Sequence, residues 1–141
     1  MRAAIMVVLL AGCAEPVSEP PLGDYTAWTR IVLDGPAPGH GDTSRVVYVN
    51  DIARAYMGGR YPVGSILVKE IYEGAPGDPE ALAYIAVMRR LALPEPYEAA
   101  GGWLFSLADD PTSEERDRTD YCWGHCHAAS PYEGVFLDYS R

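Results

Sequence analysis

"GSILVKEIY", residues Gly64 to Tyr72, carries a strong strand signal and two adjacent charges. It is rich in β-branched and aromatic side chains and follows a Pro-x-Gly turn, which favours a strand. The two-residue period of a strand puts Leu67, Lys69 and Ile71 on one face and Ile66, Val68, Glu70 and Tyr72 on the other. Whichever face packs on a core, a charged group goes with it or lies at its edge. A lysine flanked by apolar neighbours ordinarily carries its amine to the surface on its alkyl stem. The functional alternative is an amine beside a cofactor, where burial lowers its pKa and makes it nucleophilic. Lys69 is the only lysine of the chain, against ten arginines.

Working outward, "SRVVYVN" (44–50) has the same strand character, and so does "GGWLFSLAD" (101–109). "ALAYIAVMRRL" (81–91) is ambiguous between strand and helix. "DIARAYMGG" (51–59) has helical spacing and a glycine stop, and "DYTAWTRIVLD" (24–34) reads as a short helix before the turn-rich "GPAPGHGDTS". The polar run from Ala108 to Asp120 reads as an exposed connection, and the tail "SPYEGVFLDYSR" as a segment that folds back on the core. The fold class implied is α+β: a mainly antiparallel sheet with a few short helices, in a single domain. His40 lies among glycines and a proline and is expected to face solvent. Arg89, Arg90, Tyr97, Trp103 and Phe105 are expected in packing and surface roles first, and as weak candidates for lining a pocket.

The chain opens with "MRAAIMVVLLAGCAEP", an arginine ahead of a short apolar run that ends at Gly12 and Cys13. This is the layout of a secretory signal, and the run is too short to span a bilayer. Leu10-Ala11-Gly12-Cys13 also has the form of a bacterial lipobox, so Cys13 is expected to carry lipid. The organisation expected is a signal over 1–12, a flexible Pro- and Glu-rich tether over 13–23, and a domain over 24–141. The protein is then exported, lipid-anchored to a bacterial membrane and facing the periplasm. The net charge of −9 argues against binding nucleic acid or an anionic membrane surface, leaving the lipid as the membrane contact.

Two of the three cysteines and two of the three histidines fall in "YCWGHCHAAS" (121–130). Cys126-His127 matches the second half of the c-type haem signature Cys-x-x-Cys-His, but Trp123, Gly124 and His125 make the spacer one residue longer. Gly124 would let a loop bulge and absorb it, and His125 stands on the other side of Cys126 as the alternative histidine. Zinc and a Cys122–Cys126 disulfide are the competing readings. Consecutive side chains converge poorly on a tetrahedral ion, whereas a disulfide suits an exported protein.

Taken together, "VVYVNDIARAY", "YPVGSILVKEIY", "GGWLFSLAD" and "CWGHCHAASPYEGVFLDY" resemble, in order and spacing, the cytochrome P-460 family, whose fold is shared with cytochrome c-prime-beta. The resemblance implies a mainly antiparallel, usually dimeric protein with one covalently attached haem c. Cys122 and Cys126 would hold the porphyrin, His127 would be the axial ligand of a five-coordinate iron, and Lys69 would bond to the porphyrin rim. It also implies redox chemistry on hydroxylamine or nitric oxide with an electron-transfer partner. The alternatives are a non-enzymatic gas-binding or electron-transfer cytochrome of the c-prime-beta type and a haem-free lipoprotein.

Overall fold

Among the described residues, six segments of extended chain follow one another, and each pairs antiparallel with the next. The computed structural model describes residues 14–33, 39–92 and 95–141, so the expected signal and Cys13 lie outside the described residues. The sheet runs in chain order: β1 (Thr29–Leu33), β2 (Ser44–Val49), β3 (Ile66–Tyr72), β4 (Leu82–Arg90), β5 (Trp103–Ala108) and β6 (Arg116–Asp117). Two short helices, α1 (Asp51–Arg54) and α2 (Thr119–His125), and a few single 3-10 turns complete the described chain. The architecture is the α+β, mainly antiparallel one expected.

Local chemistry accounts for the joints. Asn50 caps α1 by accepting from Ala53 N at 2.9 Å, and the same oxygen accepts from Ile66 N at 3.0 Å, so one side chain ties α1 to the start of β3. The ambiguous 81–91 segment is β4, in register with β3 so that Lys69 lies opposite Ala86 and Val68 opposite Val87. The helix expected over residues 24–34 is corrected. Only Tyr25–Ala27 forms a 3-10 turn, after which Thr29–Leu33 extends and pairs with Arg45–Val49. Its β-branched Thr29, Ile31 and Val32 fit a pleated surface, and the pairing outweighs the helical spacing.

The polar connection from Ala108 to Asp120 is exposed over much of its length, but Arg116–Asp117 returns to the sheet as β6. Residues 15–17 of the expected tether lie along it: Val17 N donates to Glu115 O and Asp117 N to Glu15 O, both at 2.9 Å. Arg89 is buried and paired with Glu115, which also accepts from Ser106 Oγ at 2.6 Å.

Both faces of the central strands are buried. On one, Val47, Leu67, Met88 and Phe105 pack with Tyr61, Trp103 and the returning tail through Val135 and Tyr139. On the other, Val46, Val68, Ile85 and Val87 pack under Tyr25, with Leu22 and Trp28 at the edge. Each fully buried aliphatic side chain contributes roughly 1.5–3 kcal/mol. Glu70 points into this second core, 5% exposed, and accepts from Tyr25 Oη at 2.8 Å and Tyr72 Oη at 2.6 Å. Burial, reinforced by the carboxylate, pushes both phenols well above the ordinary tyrosine range.

Two outcomes test this core. Glu70→Ala leaves two buried hydroxyls without an acceptor and should lower stability by roughly 2–4 kcal/mol in denaturant unfolding. Burial also pushes Tyr61 and Tyr139 up to about 12, against about 10 in the unfolded chain. Since the folded values are the raised ones, the stabilisation should persist below about pH 10 and fade as pH rises toward 12. Below about pH 12, phenolate absorbance should then develop for these tyrosines only with unfolding.

Candidate functional site

The strand period that sends Glu70 into one core sends Lys69 to the other face, where the packing leaves a cavity of about 490 Å³. The size suits a bound organic group. Opposite Lys69 stand Val47 on β2 and the small Ala86 on β4, so its stem has room along the sheet. Lys69, Cys122, Cys126 and His127 all line this one cavity. His125 is exposed, stacks on Tyr121 and donates Nδ1–H to Tyr121 O at 2.8 Å.

The cysteine spacing has a helical explanation. The N-terminus of α2 is held to β5, with Arg118 N donating to Phe105 O at 2.8 Å and Phe105 N to Thr119 Oγ1 at 2.9 Å. Cys122 lies within α2 and Cys126 just past its end, and Cys126 N donates to Cys122 O at 3.2 Å. Residues four apart share a helix face, so both sulfurs reach the cavity. The bulge expected at Gly124 is therefore corrected: Gly124 sits inside the helix with no left-handed conformation. The helix ends at Cys126, whose φ of −135° and ψ of −55° depart from helical values. In a continuing helix His127 would be turned about 100° from its neighbour; the break lets both line the cavity.

His127 is held in one orientation. Its Nδ1 lies 2.7 Å from Gly134 O, and since a carbonyl only accepts, Nδ1 carries the proton and Nε2 keeps the lone pair. The ring packs between Phe105 and Phe136, with centroids at 4.6 and 5.3 Å. Burial pushes its pKa down to about 4, against the Gly134 bond and with the Lys69 charge, so the imidazole is neutral at pH 7. The Gly134 carbonyl is itself fixed by the turn it occupies. Trp103 Nε1 donates to Glu133 O at 2.7 Å, and the Glu133 carboxylate accepts from Tyr61 N at 3.0 Å. Gly134 has φ +90°, and a Cβ there would stand 2.9 Å from the Trp103 ring and 3.1 Å from Trp123.

Cys122 and Cys126 are free thiols, and burial raises the Cys122 pKa. Among the described residues no three His, Cys, Asp or Glu side chains form a metal-holding group. Two sulfurs on one wall, a neutral imidazole with a bare Nε2 and a largely apolar cavity fit a porphyrin attached through both cysteines. The donor set suits that group better than a tetrahedral ion.

Lys69 does not reach to solvent as a surface lysine would. Burial, and then the Arg45 charge, lower its pKa to about 8. His40, expected in solvent, is corrected: it lines the cavity, with Nε2 3.1 Å from Lys69 Nζ and Nδ1 2.7 Å from Tyr84 Oη. Arg45 and Tyr84 belong to the polar part of the lining, with Ser106, Tyr121 and Tyr139. The alternation of Arg45 with Val47 and Val49 could have revealed the arginine, whereas a loop histidine has no period to betray it. Of the aromatic and arginine candidates only Phe105 lines the cavity; Arg89 and Arg90 are buried elsewhere, Arg90 donating to Gly101 O.

The family model Cytochrome P460 matches residues 23–135, a span that includes Lys69, both thiols and His127. No curated protein matches the chain.

Gly134→Ala tests the support of His127. The left-handed backbone and the indole contact should together cost roughly 2–3 kcal/mol, read as a lowered denaturation midpoint.

Proposed function

The chain belongs to the cytochrome P460 family, a family of haem proteins, and from that premise we propose that it is an exported c-type haem protein performing redox chemistry on hydroxylamine or nitric oxide. The observation that carries the reading is the convergence of Lys69, Cys122, Cys126 and His127 on one cavity. In this reading Cys122 and Cys126 would hold the haem through thioether bonds, His127 Nε2 would ligate its iron, and Lys69 would bond to the porphyrin rim. When bound, the haem supplies an iron centre that accepts electrons from a small nitrogenous ligand and passes them on.

The chain's own contribution is positional and electrostatic. Gly134 O, by accepting a hydrogen bond from Nδ1–H, fixes the His127 tautomer and strengthens Nε2 as an electron-pair donor. Val47, Leu67 and Met88 line the cavity and exclude water. Arg45, His40 and Lys69 put polar groups inside the same walls, which favours a reactive pocket over an apolar one that only binds gas. The proposal extends to a lipid on Cys13 facing the chain to the periplasm, an external electron acceptor and a homodimer.

The test is expression with a c-type haem maturation system. The wild type should carry haem that survives denaturation, and the double variant Cys122→Ala, Cys126→Ala should not. Lys69→Ala should keep the attached haem, shift the Soret band to that of an ordinary c-type protein and lose hydroxylamine oxidation. Colourless wild-type protein would overturn the haem assignment, and a Soret band unmoved in Lys69→Ala the reaction assignment.

A further inference from the structure

The hydrogen bonds behind Lys69 run in a single direction. An ammonium group only donates, so His40 Nε2, at 3.1 Å from Lys69 Nζ, is the acceptor. A neutral imidazole with its lone pair on Nε2 carries its proton on Nδ1, which then donates to Tyr84 Oη at 2.7 Å. The order is Lys69 to His40 to Tyr84, and it requires His40 to stay uncharged. Burial first, then the Lys69 and Arg45 charges, hold the His40 pKa down to about 4.

The loop that presents His40 is built to do so. Thr43 Oγ1 donates to His40 O at 2.8 Å and closes the turn. Gly39 has φ +78°, and a Cβ there would lie 3.2 Å from Cys126 Sγ, so this backbone rests against the end of α2. His40 is thus wedged between the cysteine wall of the cavity and Tyr84 of β4. Of the other groups around Lys69, Arg45 repels the ammonium, and the Cys122 thiol, with its raised pKa, offers little negative charge.

We propose that His40, anchored by Tyr84, is a positioning residue that holds the Lys69 amine at one point on the cavity wall. A free lysine stem samples many rotamers, and fixing one costs side-chain entropy. The His40 acceptor offsets part of that cost before any reaction at the amine. The inference deepens the proposed haem bond of Lys69 and rests on it for its consequence, but the hydrogen-bonded order stands on its own geometry.

The experiment compares the full-length protein as purified with His40→Gln, His40→Phe and Tyr84→Phe. Glutamine keeps an acceptor near the Nε2 position and phenylalanine does not. Mass analysis of the digested protein gives the fraction of Lys69 bonded to haem, with the cysteine thioethers as an internal control. In His40→Phe that fraction should fall about fivefold, the worth of one hydrogen bond, with the thioethers intact. His40→Gln should restore it and Tyr84→Phe should fall between. Equal fractions in wild type and His40→Phe would overturn the proposal.

Should wild-type Lys69 carry no haem bond, the assigned linkage fails and the positioning is read separately. As the single lysine, Lys69 gives one Nζ resonance in 15N-lysine-labelled protein, recorded reduced and under carbon monoxide. Its protons should exchange with water about fivefold faster in His40→Phe than in wild type, for the same lost bond, and His40→Gln should slow them again. Indistinguishable exchange rates would overturn the proposal on that arm.

Discussion

A strand buried on both faces has no solvent side on which to place a charge. β3 carries two adjacent charges, Lys69 and Glu70, and the sheet around it is covered on one face by α2 and the tail and on the other by the segment around Tyr25. The two charges are accommodated by opposite means. Glu70 is enclosed and given two phenolic donors, a closed arrangement that ties the N-terminal segment to the sheet. Lys69 is left beside open volume, opposite Ala86, with a neutral imidazole and a repelling guanidinium near it. One charge is consumed by the structure; the other is kept available to whatever fills the cavity.

The same face explains the cysteine pair. Helical geometry admits both three- and four-residue separations on one side of a helix, so the longer spacer does not separate the sulfurs. It moves the question to His127, which a continuing helix would carry away from the cavity. The break at Cys126 brings it back, and Trp103, Glu133 and Gly134 set the direction of the ring. The histidine orientation therefore depends on β5 and the tail as much as on the motif that contains it.

Much of this was legible in the chain. Alternation in "GSILVKEIY" and its neighbours was enough for the antiparallel sheet and for Lys69 and Glu70 on opposite faces, because a two-residue period is a local property of strand backbone. Residue chemistry was enough to single out Cys122, Cys126 and His127. β1 resembles a helix in sequence because Trp28, Ile31 and Val32 have helical spacing too, and β6 leaves no sequence signal because two polar residues carry no period. In both, pairing with a neighbouring strand supplied what local sequence did not.

Covalent identity and backbone period dictate which side chains can do chemistry and which face of a strand each takes, and both can be read along the chain. Long-range packing sets the rest: both faces of β3 are buried, the cysteine helix ends where His127 can turn inward, and a loop histidine 29 residues away meets the Lys69 amine. Those outcomes rest on contacts between segments distant in the chain, and no local pattern encodes a distance across a cavity.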